Sequence, residues 1–439
     1  MSPEIQARLL ASMHADRLVI VCGAGLSMAK PSKLPSAKDI ANACFDKYKL
    51  TADPACDATL RDSLEKLAEH FAGLQTLTSV FIESLVPWKM FVRTPNCGHA
   101  AIADFLLTRA ASAALSSNYD TLIERRAREY GADFRASLDG DEAVVTAAKQ
   151  GPLLKFHGCA ERSRSHTVWA LSQLGEATIA KRIASSRAWM GANLRQKDLL
   201  VVGFWSDWAY LNAIIGGAFE AAPPLSVTII DPTPSEALAE KAPQLWSLAH
   251  AENVAFNHVQ ASGAEELDAL RCAFSTNYMR QVLAQGQAAF EATEGAPCEA
   301  QWLELSAFDA ESLYAMRRDA EGESMGQPAL RKYPVSAEAL GYFHLLLRRA
   351  NAEHTEQGYR LNGRTIRVVN GAGKMLSTMR ESFVEAPAAP QADVIVAVGA
   401  VDVAVPGNFV RQGQPGNLVR PSPAGLWCDL QTARSELSI

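Results

Sequence analysis

Between Arg17 and about Ser275, short unbroken apolar runs alternate with stretches in which apolar positions recur every three to four residues. The runs are Leu18–Cys22, Ala113–Ser116, Leu153–Phe156, Leu199–Val202 and Val227–Ile230. Runs without polar alternation suit strands whose sheet is covered on both faces. The stretches with helical period are Ala37–Tyr48, His99–Ala111, Thr121–Tyr130 and Trp208–Phe219, with Ala264–Phe274 as a closing helix. Strands separated in this way by helices predict an α/β fold built on a doubly wound parallel sheet.

The pattern changes near Gly286–Pro297, where the chain turns polar and rich in Ala and Gly. A boundary there gives a Rossmann-like α/β domain over 1–285 and a smaller C-terminal α+β domain over 286–439, a division suited to 439 residues. The second part reads as helices at Trp302–Met316 and Ala337–His354, strands at Thr365–Asn370 and Val394–Val405, and a Gly/Pro-dense end from Pro406. It carries no second catalytic constellation, so it is assigned to interaction or oligomerisation. Within it, Asn370-Gly-Ala-Gly-Lys-Met375 is not a phosphate loop: Val368 stands at the first glycine position, and Met375 replaces the metal-binding Ser or Thr. A strand-to-helix turn is expected there.

Composition narrows the function classes. With a net charge of −6 and no long basic run, the chain is not expected to bind nucleic acid directly or to sit on a membrane. It opens without a signal-peptide pattern, and no apolar segment reaches the roughly 20 residues needed to span a bilayer, so a cytoplasmic location is expected. Its eight cysteines are scattered, and no two make a CxxC pair, which points to reduced thiols and no metal.

Four motifs sit where expected strands end, the edge that lines the ligand crevice of an open parallel sheet. Gly23-Ala24-Gly25-Leu26-Ser27 follows the first strand; glycines let backbone approach a pyrophosphate, although a plain structural turn reads the same way. Ser116-Ser117-Asn118-Tyr119-Asp120 follows the second, where Asp120 can cap the next helix but Asn118 has no such simple role. Lys155-Phe156-His157-Gly158 delivers a strand-tip histidine, a candidate base. Gly203-Phe204-Trp205-Ser206-Asp207 offers a glycine turn and a polar pair that could bind a ligand or cap a helix. Asp231, before Pro232, could hold ribose hydroxyls or mark an ordinary turn.

In this order the motifs resemble the NAD-binding domain of the sirtuin family, over about residues 10–275. GAGLS resembles the family's first pyrophosphate loop, SSNYD its Gln-Asn-Ile-Asp segment, KFHG the segment with its catalytic histidine, and GFWSD its Gly-Thr-Ser loop. The four-cysteine zinc module of the deacylases is missing; Cys159 stands alone in its place. So is their arginine segment, with Leu34–Ala37 nearby instead. The chain therefore resembles the bacterial sirtuin-like branch of antiviral (abortive infection) defence systems, where the resemblance implies an NAD+ hydrolase.

That resemblance implies NAD as substrate, with Asn118 and His157 catalytic and Asp120 either catalytic or a cap. Gly23, Ala24, Gly25, Ser27, Gly203, Ser206, Asp207 and Asp231 would bind the dinucleotide, and no metal would take part. Self-assembly into a homo-oligomer or a HerA-type ATPase partner would gate the activity. Two other readings stay open: a protein deacylase without zinc, and a module that senses NAD without cleaving it.

Overall fold

The structure is a computed structural model, described over residues 1–51, 54–205, 214–218, 223–306, 308–355, 358–383, 392–401 and 425–439. The chain forms two compact units, Met1–Glu129 with Asp133–Leu270, and Tyr130–Ala132 with Arg271–Ile439.

In the first unit, six parallel strands form one sheet: β1 Leu18–Cys22, β2 Ala113–Ser116, β3 Leu153–Leu154, β4 Asp198–Val202, β5 Ser226–Ile230 and β6 Ala255–Val259. Their order is β3-β2-β1-β4-β5-β6, the doubly wound arrangement of a Rossmann-like fold. The order reverses between β1 and β4, the position at which an open parallel sheet presents its ligand crevice. All five residues of β1 and of β4 are buried; β1 is wholly apolar, whereas β4 opens on Asp198, whose carboxylate accepts from Ser12, Arg17 and Ser226. β6 is the strand that the apolar pattern leaves out: it is an edge, half-exposed, and reads Ala-Phe-Asn-His-Val. β3 is shorter than the stretch Leu153–Phe156: its pairing with β2 ends at Leu154, and the Lys155 amide donates to Ser137 O at 2.8 Å.

Between β1 and β2 the chain builds a helical insertion from helices Ala37–Thr51 and Leu64–Gly73, the π-helical turn Leu77–Leu85 and the short turn Trp88–Phe91. It has its own apolar core, including Phe45, Phe71, Phe81 and Trp88, joined by Tyr119 and Trp169 from the sheet side.

The second unit carries a mixed sheet of five strands in the order β11-β10-β9-β8-β7, from β7 Glu353–Thr355, β8 Gly358–Leu361, β9 Arg364–Asn370, β10 Val394–Val398 and β11 Leu426–Cys428. Strands β9, β10 and β11 are parallel, and β7, β8 and β9 antiparallel. Alternation sorts its residues. Val368, Val394 and Val396 join the core with helices Ala310–Ala320 and Glu338–Arg349, while Val369, Ile395 and Ala397 pack with Met379 and Phe383. Asn370–Met375 forms the turn from β9 to helix Leu376–Ser382, and Lys374 Nζ donates to the Gly322 carbonyl at 3.1 Å.

The expected boundary at Gly286–Pro297 does not coincide with the division between the units. Helix Gly263–Glu294 runs on for 32 residues through Gly286. A Cβ at Gly286 would stand 2.1 Å from the Tyr342 amide nitrogen, and one at Gly341 would stand 2.1 Å from the Val282 carbonyl. The glycine that reads as a linker residue instead lets two helices meet backbone to backbone. Among the described residues, no helix is long and apolar enough to cross a membrane.

Candidate active site

The loops after β1 and β4 touch across the crevice. Gly23 N donates to Val202 O at 3.1 Å and Gly25 N to Gly203 O at 2.9 Å. A Cβ on Gly23 would stand 2.6 Å from Gly203 O, and one on Gly25 2.8 Å from Gly203 Cα. Gly203 has φ +58°, the left-handed region that glycine enters without strain. The glycine spacing suggests close approach of a pyrophosphate; in the structure the group that approaches is the opposite loop's backbone. Met28, where a dinucleotide fingerprint would carry its third glycine, ends the five-residue helix Ala24–Met28 and is 49% exposed.

Behind this junction lies a buried hydrogen-bond network. Asn118 Nδ2 donates to the Gly23 carbonyl and to Ser27 Oγ, both at 3.1 Å. Since the carbonyl only accepts, the amide orientation is fixed and Oδ1 is the atom Asn118 can offer a ligand. Helix Cys97–Leu107 supplies His99 through a capping box: the Asn96 amide donates to His99 Nδ1 at 3.1 Å, and His99 N to Asn96 Oδ1 at 3.1 Å. Burial holds His99 neutral, with its pKa lowered to about 4. With Nδ1 accepting, its proton sits on Nε2, which donates to Ser27 Oγ at 3.1 Å. Ser27 thus accepts twice, and its own proton goes to Asp120 Oδ2 at 2.9 Å. The other Asp120 oxygen accepts the Leu122 amide at 3.2 Å, so Asp120 both anchors the turn into the helix and closes the network.

His157 follows β3 and is 1% exposed. Burial, with the Arg182 guanidinium nearby, lowers its pKa to about 3, and a hydrogen bond to the Ser117 backbone acts weakly the other way. Its ring is neutral at any ordinary pH. Two residues earlier, Lys155 is buried and paired with Glu124 at 3.0 Å. Lys155 Nζ also donates to the Asp120 carbonyl, so the pair clamps the loop that carries Asn118 and Asp120. Burial alone would lower Lys155, but the Glu124 carboxylate beside it keeps it protonated.

These groups surround a cavity of about 320 Å³. Of the residues singled out in the sequence, Ala24, Gly25, Ser27, Asn118, Asp120, His157, Gly203 and Asp231 line it. Gly23 stands one step back, where its carbonyl holds Asn118. Asp231 follows β5 and accepts the Thr233 amide on Oδ1 at 2.9 Å, an ordinary Asx turn at the cavity edge. Ser206 and Asp207 lie outside the described residues. Among the described residues, no three His, Cys, Asp or Glu side chains gather as they would to hold a metal ion. Cys159 is buried, its Sγ 3.8 Å from Lys155 Nζ. Lys155, Glu124, Tyr119 and Lys241 also belong to the site or its support, although no motif singles them out. A lysine two residues before a strand-tip histidine, with a glutamate one helical turn beyond Asp120, is the signal that could have found the clamp. Lys241, at the end of helix Ser235–Lys241, is the one Arg or Lys among the described lining residues.

No family model matches the chain, and no curated protein matches it. Solved structures of Sir2 enzymes are similar to it. One describing the mechanism and regulation of Sir2 enzymes is 15% identical, with a TM-score of 0.32, covering 62% of this chain and 96% of its own. A complex of a Sir2 homologue with NAD is 16% identical over 60% of this chain and 91% of its own, with a TM-score of 0.33. A structure addressing sirtuin substrate affinity is 12% identical over 62% of this chain and 98% of its own, also with a TM-score of 0.33.

Proposed function

We propose that this chain is an NAD glycohydrolase, cleaving the nicotinamide–ribose bond to give nicotinamide and ADP-ribose. The observation that carries the reading is the joint placement of Asn118 and neutral His157 on one cavity at the β1/β4 reversal, with the Asn118 amide oriented by Gly23 and Ser27. Nicotinamide leaves a cationic pyridinium as a neutral molecule, so no general acid has to protonate it. What the protein must supply is stabilisation of an oxocarbenium-like centre and an oriented water. The Asp120 carboxylate supplies negative charge to that centre. Asn118 Oδ1 accepts a hydrogen bond from the attacking water or a ribose hydroxyl. His157 takes the proton released, and a weak base suffices because the electrophile is already cationic. The Gly23–Ser27 loop, Gly203, Ser206, Asp207 and Asp231 hold the dinucleotide, which takes part as substrate; no metal enters this scheme.

An unrestrained activity of this kind would exhaust the NAD of its own cell. In this reading it acts in the cytoplasm as the effector of an antiviral, abortive-infection defence system, gated by self-assembly or by a HerA-type ATPase, with the second unit as the interaction surface. The test is incubation of the purified chain with NAD, alone and with its partner, following free nicotinamide and ADP-ribose. Asn118→Ala and His157→Ala should each lower turnover by about 100-fold or more while the fold persists. Full turnover in both folded variants would remove the assignment.

A further inference from the structure

We infer that Tyr119 and Trp169 set the size of the acceptor in this site, so that the ribosyl group passes to water or a comparably small hydroxyl compound and not to a side chain of a second macromolecule. This rests on the glycohydrolase reading and adds the acceptor class to it. The Tyr119 ring stacks on His157 on one side, with centroids 5.7 Å apart and planes 13° from parallel. On the other it stacks on Trp169, at 4.2 Å and 18°. Trp169 is fully buried and meets Phe81 and Trp88 edge-on, at 5.6 and 5.8 Å. The wall beside His157 is therefore aromatic packing three layers deep, Tyr119, then Trp169, then Phe81 and Trp88.

Backbone bonds weld that wall in place. The Tyr119 hydroxyl donates to the Val168 carbonyl, Val168 N donates to His157 O at 2.9 Å, and Ala160 N to Tyr119 O at 2.8 Å. The segment after His157 is thus tied to the loop carrying Asn118. The cavity that Asn118, Tyr119 and His157 line has a volume of about 320 Å³, at the small end of the roughly 300–1,000 Å³ range of ligand pockets, which leaves little room for an acceptor beside the nicotinamide riboside end of the substrate.

In the step itself, the bond from ribose C1′ to the nicotinamide nitrogen breaks and its electron pair leaves with nicotinamide. The acceptor oxygen bonds C1′, and its proton passes to His157 and on to solvent. With an alcohol in place of water the product is an alkyl ADP-riboside, so acceptor size can be read from product ratios. The experiment incubates the full chain with NAD in buffers containing equal concentrations of methanol or 1-butanol, and measures alkyl ADP-riboside against ADP-ribose. Because both products come from the same enzyme molecules, the ratio is independent of how much protein is folded.

In the wild type, the butanol ratio should be about tenfold or more below the methanol ratio, and Tyr119→Leu and Trp169→Leu should each recover about tenfold for butanol. Should both variants fail to fold, the wild-type series decides alone. Equal methanol and butanol ratios, or nicotinamide release that depends on an acyl-lysine peptide, would overturn the inference. Absence of nicotinamide release under every condition would overturn the glycohydrolase reading with it.

Discussion

Asn118 has two amide hydrogens, and the protein takes both. That leaves one oxygen for chemistry, held by partners that cannot rotate away. The histidines on either side are held as firmly, by burial, in the neutral state, with pKa values of about 4 for His99 and about 3 for His157. Neither proton equilibrium lies near neutrality. The pH profile of kcat/KM should therefore show no acid limb from these groups between about pH 5 and 8, where an ordinary histidine near 6.5 would give one. A limb near pH 6.5 that vanishes in His157→Gln would contradict this. Lys241 lines the cavity edge, and under the proposed function its charge would meet the phosphates of the dinucleotide. Lys241→Gln should raise KM by up to about fivefold, with a smaller effect at high salt, since an exposed ion pair contributes at most about 1 kcal/mol. Steady-state kinetics at two ionic strengths measures both.

At the scale of elements, strand ends and the loops they launch do the positioning. β1 and β4 bring two glycine turns together, β2 launches the Asn118 loop, and β3 delivers Lys155 and His157. The buried pair Lys155–Glu124 ties the last two of these to each other. Lys155→Met leaves the Glu124 carboxylate buried without its partner and should destabilise the first unit by about 3–5 kcal/mol. Adding Glu124→Leu should return most of that loss. Urea unfolding of the single and double variants gives the comparison, and equal loss in both would mean the pair is not a unit. The strands and the strand-tip motifs were legible because covered parallel strands need unbroken apolar runs. The clamp was not, because a lysine and a glutamate 31 positions apart in the chain (155 − 124) carry no mark of meeting. Nor was β6, whose half-exposed edge tolerates Asn and His, nor the role of Gly286, which reads as a linker until the opposing Gly341 is seen.

Among the described residues, three buried histidines are held neutral: His99, His157 and, in the second unit, His344, with its pKa at about 3. Each binds a proton in the unfolded chain near pH 6.5 but not in the folded one until far lower pH. Folded stability is then complete above about pH 6.5 and falls as pH drops, by up to about 1.4 kcal/mol per pH unit for each group. The melting temperature should decline steadily from pH 7 to about pH 5, and the slope should lessen in His344→Gln; a flat profile would show that these rings take up protons in the folded state. By itself, the sequence determined the class of the first unit and the edge of its sheet that the candidate motifs share, because periodicity and turn residues act locally along the chain. It determined also that Asn118 and His157 stand at strand tips. Only the tertiary structure decided what each group can offer: that Ser27 spends its proton on Asp120, that Gly25 serves the opposite loop, and that Tyr119 is sandwiched between His157 and Trp169. Those properties depend on which atoms meet across the crevice, and hydrogen-bond partners and ring contacts between distant segments leave no periodic trace in the chain.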